Sequence, residues 1–553
     1  MNARIPFVII MCSVLSASMH AHFEKSFQKG CEYFHKGEHA LAIEKFEKTI
    51  KQNPHCFQAY YNLALVYELK KEESQAIEYL VKALSINPNY TKALEHLAKL
   101  YFDQGNKGKA KEHYRKLVQL EHANSKAHHH LGKIYFEETE KDLCIYHLEE
   151  AYSQDPKNIH ILLDLANAKN LIDKTEEALE LYLIMDKLSP DNPSILYNIA
   201  YTLKKLGKLQ EAMPYYHRTL QLRPDHADAH FGHGLALLLT GHWQEGWKEY
   251  EWRWIRQGRS TFPNYDKPMW DGSDLHGKTI YLRAEQGLGD TFQFIRYAKI
   301  AKEMGGTVIV AVQRPLLDYM KICPYIDTLV SVHDAPPPFD VYAALVSCPM
   351  ILNTTLDTVP ADIPYLPVDE DLVGYWKDQL SSDHNFKIGI CWQGNPNYST
   401  HILRLAVAAK SMPLSNFVPL FDIPGTSFYC LQIKTGTDQI LNLSPYAREK
   451  LIVFDGDFDK THGGFMDSAA VVKNLDLVIT VDTSVSHFAA GLGIPTWVLL
   501  PNPPDWRWML ERTDTPWYPN MRLFRQPTPG DWESVMNTIA MELMTLLDMR
   551  HEV

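Results

Sequence analysis

At 553 residues the chain is too long for a single hydrophobic core and calls for about three or four domains. Hydrophobic residues at 45% and charged residues at 22% describe a globular protein, and a net charge of −12 leaves no basic face for nucleic acid or an anionic membrane surface. Eight cysteines (12, 31, 56, 144, 323, 348, 391, 430) show neither CxxC nor metal-ligand spacing, which implies reduced, packed thiols and no disulfide framework.

In chain order, residues 1–22 come first: Arg4, the apolar run "IPFVIIMCSVL" and then the small-residue stretch "SASMHA". This reads either as a secretory signal peptide or as a hydrophobic helix capping the segment that begins at residue 23. The run is far short of the ~30 Å a spanning helix must cross, and no later segment qualifies as a membrane span.

From residue 23 a period of 34 residues governs the chain to about residue 256, with prolines at 54, 88, 156, 190 and 224 and His122 in the missing slot. One column stays small (Gly30, Ala64, Ala98, Gly132, Ala166, Ala200, Gly234) and a second nearly so (Ala42, Ala76, Ala110, Cys144, Ala178, Ala212). A third is bulky (Phe46, Leu80, Tyr114, Leu148, Tyr182, Tyr216, Tyr250). This is the tetratricopeptide pattern: small residues let paired helices approach, bulky ones fill the seam, and proline stops the second helix. Six full repeats and a partial seventh are expected over 23–256. Their groove would hold a protein or peptide partner, the alternative being a rigid spacer. The consecutive histidines 128 to 130 fall on one of these helices and fan out around it, which argues against a metal site.

Past a tryptophan-rich joint, which takes in residues 257–277, the periodicity shortens. "KTIYLRA", "TVIVAV", "IDTLVSV" and "VYAALVS" read as strands, with "EQGLGD" a tight loop and "TFQFIRYAKIAKEMG" a helix, giving a first Rossmann-like domain over 278–380. "FKIGICW", "FYCLQI", "LIVFD" and "LVITVDTSVSHFAAGLGIPTWVLLP" give a second over 386–550, closed by an amphipathic helix in "DWESVMNTIAMELMTLLDM". In the last of these stretches the first apolar run ends at Asp482, Thr483 and Ser484, where a helix begins. Unpaired N–H groups and the helix dipole there suit a phosphate, although the same residues also serve as ordinary N-caps. Ligands of parallel sheets bind beyond the strands' carboxyl ends, which places "QGLGD", "WQGNPN" and the Asp482 turn on one rim.

"AEQGLGDTFQFIRYA", "GICWQGNPN", the stretch 477–501, "PDWRWML" and "PWYPNMRLFRQPTPGDW", joined to the repeats, resemble bacterial tetratricopeptide proteins with a glycosyltransferase domain. That domain is similar to the heptosyltransferases, and the layout is similar to O-GlcNAc transferase. The resemblance implies an α-helical tetratricopeptide superhelix followed by an α/β GT-B-type pair of Rossmann-like domains. It further implies a nucleotide-diphosphate sugar donor as substrate, with no cofactor and no metal. Asp482, Thr483 and Ser484 would then receive the diphosphate. Lys410, standing where the family usually has arginine, would neutralise it, and Asp290 would act as general base toward the acceptor hydroxyl. Taken alone, Lys410 reads first as a solvated lysine before a proline and Asp290 first as a helix cap. Gly287 and Gly289 would allow close backbone approach. Trp392, Gln393, Asn395, Gln432 and His487 are further donor contacts, with packing roles open for Trp392 and His487.

The sequence departs from the family after "GNP", where "NYSTHILRLAVAAK" carries only His401 and Arg404 before Lys410. Two functions emerge as expectations. One is a metal-independent glycosyltransferase acting on a protein or glycan acceptor that the repeats bind. The alternative is a non-catalytic scaffold with a degenerate transferase domain. Donor chemistry points to the cytoplasm, whereas the first twenty residues, read as a signal, point to export.

Overall fold

The computed structural model describes residues 24–256, 265–398, 401–454 and 456–551. The expected signal or cap at 1–22 and part of the joint lie outside the described residues. By contacts the chain divides into two compact units, Met1–Thr202 and Leu203–Val553.

The first unit consists of helical pairs. Helices begin at Phe57, Thr91, Ser125, Ile159 and Pro193, and their partners at His39, Glu73, Lys107, Lys141 and Thr175, each series stepping by the 34 residues of the sequence period. The partner helices end at Gln52, Ile86, Leu120, Gln154 and Leu188. Prolines 54, 88, 156 and 190 stand two residues past four of these ends, where the lack of an N–H blocks continuation. The small and bulky columns meet as expected. A Cβ placed on Gly30 would lie 2.6 Å from the Phe46 ring, and one on Gly132 2.6 Å from Leu148 Cγ. Only hydrogen fits at these two seams. Asn106, Asn124 and Asn158 cap helices with their side chains, each satisfying one otherwise unpaired N–H. His129 bonds Asp164 at 2.7 Å, His128 shares a 3.0 Å contact with His147, and His130 stacks on Tyr114. The three histidines thus diverge, and among the described residues no metal-binding group of His, Cys, Asp and Glu occurs.

The second unit contains the rest of the helical array. Helices Leu209–Leu222, Ala227–Leu239 and Trp243–Tyr250 belong to the same compact unit as the two α/β sheets. The cause is aromatic burial. Trp243 stacks on Trp517 at 5.2 Å, Trp247 meets Trp506 edge-on at 5.1 Å, and Trp247 Nε1 donates to the Thr354 carbonyl at 3.2 Å. Beside them the buried Arg253 donates to both oxygens of Glu285 (2.8 and 3.2 Å) and to Ser347 Oγ at 2.7 Å, and it also pairs with Glu251. Burial pushes Glu285 up to about 7 even though Arg253 opposes the shift.

Four strands, β1 (Thr279–Arg283), β2 (Thr307–Val312), β3 (Thr328–Ser331) and β4 (Val341–Ala344), form a parallel sheet in the order β3-β2-β1-β4. Six more form a second parallel sheet in the order β10-β9-β8-β5-β6-β7: β5 (Phe386–Cys391), β6 (Thr426–Cys430), β7 (Leu451–Ile452), β8 (Leu477–Val481), β9 (Thr496–Leu500) and β10 (Met521–Arg525). β8 and β9 are buried at every residue, as fully apolar runs in a helix-covered sheet require. β10 is not legible in the sequence: two arginines interrupt its apolar pattern, and it is an edge strand paired only with β9. Helix Glu370–Gln379 lies before the expected boundary near 380, yet Trp376 Nε1 donates to Asp467 Oδ1 at 2.8 Å on helix Met466–Lys473 of the second sheet's layer. Trp532, Val535, Met536, Ile539 and Leu543 of the terminal helix Trp532–His551 join the second core. All seven described cysteines are free, and six are buried. Among the described residues no helix is long and apolar enough to cross a membrane.

Candidate functional site

Both sheets contain a point where the strand order reverses, between β1 and β4 in the first and between β5 and β8 in the second. Loops leaving the strands at such a point diverge and open a crevice, which is where open α/β sheets take their ligands. The "QGLGD" loop leaves β1, "WQGNPN" leaves β5 and the Asp482 turn leaves β8. Two of these loops, from different sheets, come together: a Cβ on Gly289 would lie 3.1 Å from His487 Cδ2 and 3.3 Å from Ser484 Cα. Only glycine gives that approach without displacing backbone.

On the β8 side Thr483 caps helix Ser484–Gly491, its Oγ1 accepting the Val485 N–H at 3.3 Å. Asp482 is therefore released from capping. Its buried carboxylate lies 3.6 Å from Lys410 Nζ. Burial raises the Asp482 pKa, Lys410 opposing and Asp505 reinforcing the shift. Burial works against the charge on Lys410, but Asp482, Asp505 and Asp290 outweigh it and hold the lysine's pKa above its usual value.

On the β1 side Asp290 Oδ2 accepts the Gly287 N–H at 2.8 Å, which closes the turn that starts helix Leu288–Phe294. Its other oxygen, Oδ1, accepts a short bond from Arg507 Nη2. Arg507 also donates through Nη1 to Asp505 Oδ1 at 2.8 Å and through Nε to Gln293 Oε1 at 2.7 Å, and its guanidinium lies over the Trp506 ring. Burial disfavours this arginine's charge, yet Asp505 and Asp290 raise its pKa. Conversely Asp505, despite burial, is lowered by Arg507. Nothing in the motif "PDWRWML" by itself marks Arg507 or Asp505 as part of a site, because the partner Asp290 lies 217 residues earlier.

The remaining residues separate into lining and support. Trp392 is fully buried in the second core and exposes no face for a ligand to stack on. Gln432 Oε1 accepts the N–H groups of Trp392 (3.2 Å) and Gln393 (3.0 Å), and its Nε2 donates to the carbonyls of Gln393 (3.0 Å) and Thr435 (2.8 Å). It staples the loop after β5. His487 is buried, bonds Tyr518 OH at 3.0 Å and stacks on Trp508. Burial first, then Arg507 and Lys410, hold it well below its usual pKa and so neutral. Asn395 is exposed and accepts the Asn397 N–H at 3.0 Å. Gln393 borders a cavity of about 400 Å³ lined also by Pro396, Val407, Ala408, Ser411, Met412, Pro413 and Gln439. Gly287 is exposed, and Gly289, Asp290, Thr483 and Ser484 are partly exposed around the crevice.

Comparison with known proteins bears chiefly on the helical array. The tetratricopeptide repeat family matches residues 57–90, 91–124 and 193–226. These repeats are protein-interaction modules. The chain is 28% identical over 336 residues to Protein FlbA of Caulobacter vibrioides; the match takes in 57% of this chain. It spans about half, 54%, of that relative's length. Among solved structures, the tetratricopeptide protein YrrB is 20% identical, with 34% of this chain and 97% of that one covered at a TM-score of 0.32. A tetratricopeptide repeat protein from Parabacteroides merdae is 17% identical, with 41% and 91% covered at a TM-score of 0.31. The chain is thus a tetratricopeptide array followed by a region of parallel sheets, with similarity to FlbA.

Proposed function

We propose that the carboxy-terminal region is a GT-B-type glycosyltransferase that takes a nucleotide-diphosphate sugar as donor, and that the repeats bind its protein or glycan acceptor. One observation carries the reading: the "GLGD" loop of one sheet and the Thr483 helix start of the other meet at the two strand-order reversals, with Lys410 and Arg507 alongside. Amide dipoles, the buried Arg507 and the partly exposed Lys410 suit a leaving diphosphate, and a carboxylate opposite suits proton removal. In the step, the acceptor oxygen bonds to the anomeric carbon as the bond from that carbon to the phosphate oxygen breaks. The hydroxyl proton passes to Asp290, and the electron pair leaves on the nucleoside diphosphate.

A thermal-shift panel of UDP, GDP and ADP tests the reading. At 100-fold excess over the dissociation constant a bound nucleotide stabilises by about 2.7 kcal/mol. A shift with one base, together with hydrolysis of the matching sugar donor, supports the transferase. No shift with any of the three refutes donor binding. It would favour a second reading, a scaffold in which the crevice is a structural joint, which the close Gly289 contact and the Asp290–Arg507 pair support.

A further inference from the structure

Among the described residues, the ion pairs at the crevice join two cations, Lys410 and Arg507, to three carboxylates, Asp290, Asp482 and Asp505, a set whose formal charge is one negative. A pyrophosphoryl group entering that arrangement meets more like charge than opposite charge. The carboxylates differ in what holds them. Asp482 pairs with Lys410 on its own side of the crevice, and Asp505 and Arg507 are neighbours in the motif "PDWRWML". Asp290 alone reaches its cation from the other sheet's loop. Arg507 also has three separate attachments, and two of them, Nη1 to Asp505 and Nε to Gln293, keep its guanidinium in place if the third is exchanged.

We propose that Arg507 is an exchange residue. In the free protein its Nη2 holds Asp290, and the diphosphate of the donor takes Asp290's place on Nη2, leaving that carboxylate free to accept the acceptor's proton. This rests on the donor reading and extends it, since it accounts for the ion pair on the proposed base and requires donor to bind before acceptor is deprotonated. A ligand shifts such an equilibrium only through contacts it makes in one state and not the other. The Nη2 contact is that difference. Gln293, buried beneath Arg507, is a positioning residue, for it aims the guanidinium.

The test is direct binding of UDP, GDP and ADP, with the corresponding nucleosides as controls, to wild type and to Asp290→Asn. Asparagine keeps an oxygen for the Gly287 N–H but removes the competing negative charge. Structural damage would weaken binding, whereas release of Arg507 strengthens it. The expected result is a gain of about tenfold or more for the diphosphate that wild type prefers, no gain for its nucleoside, and a smaller gain at high salt. Should Asp290→Asn lose its cooperative melt, Asp290→Ser replaces it with the same expectation. Unchanged or weakened diphosphate binding in the folded variant, with wild type binding normally, overturns the exchange and leaves the donor reading standing. If no diphosphate binds either protein, both fall.

Discussion

Trp247→Ala tests whether the last helical pair is a structural part of the carboxy-terminal region. Trp247 is 2% exposed, meets Trp243, Trp506 and Trp517 at ring distances of 5.9, 5.1 and 6.4 Å, and donates to the buried Thr354 carbonyl. Truncating a buried tryptophan costs about 3–5 kcal/mol, and a carbonyl left without its donor adds about 1 kcal/mol. The expected loss is therefore about 5 kcal/mol, a large part of a stability that is typically ~5–15 kcal/mol. The assay is urea unfolding followed by tryptophan fluorescence. All twelve tryptophans lie at or beyond residue 243, so the signal reports the second unit alone, while far-UV circular dichroism reports chiefly the helical repeats. Trp247→Phe, which keeps a ring but not the donor, should lose about 1–3 kcal/mol. Ile255→Ala, at a residue 64% exposed, should change stability by less than about 0.5 kcal/mol. If Trp247→Ala shifts the fluorescence transition no further than Ile255→Ala, the aromatic joint contributes nothing and the reasoning fails.

Gly234→Ala places a methyl 2.8 Å from the Tyr250 nitrogen, a backbone atom that cannot swing away, and should cost about 1–3 kcal/mol despite alanine's better helix propensity; an unchanged fluorescence midpoint would contradict the close seam. Burial holds His130 down to about 4, from 6.5 in the unfolded chain. The unfolded state therefore binds the extra proton, and the repeats lose on the order of 2 kcal/mol as pH falls from 6.5 to 4; in His130→Phe the pH dependence of the circular-dichroism midpoint should flatten. Glu285 runs the other way: with its pKa raised from 4.5 to about 7, the folded state keeps a proton that the unfolded state releases. The second unit then loses on the order of 2–3 kcal/mol as pH rises from 4.5 to 7, and Glu285→Gln should remove that dependence from the fluorescence midpoint. Gln432→Ala frees the loop after β5 from three hydrogen bonds to its backbone and should weaken binding of a nucleoside diphosphate about tenfold while lowering stability by about 1–3 kcal/mol. Equal affinity in wild type and variant would remove that loop from the binding site.

What the sequence determined by itself is local or periodic. A 34-residue repeat with matched small and bulky columns specifies helix pairs, because each residue's partner lies in the adjacent helix and repeats at a constant offset. Nine of the ten strands among the described residues were legible as apolar runs, and the start at Ser484 as turn residues ahead of a helical pattern, whereas the helix expected from Thr291 begins at Leu288, inside the stretch read as a loop. Tertiary structure alone decided which of these signals meet. It set Trp392 in the core, turned Gln432 and His487 inward, gave the last helical pair to the α/β region, and paired Asp290 with Arg507. No local pattern encodes these outcomes. A contact across 217 residues depends on strand order and sheet packing, and a charged side chain becomes informative only when burial removes the water that would otherwise screen it.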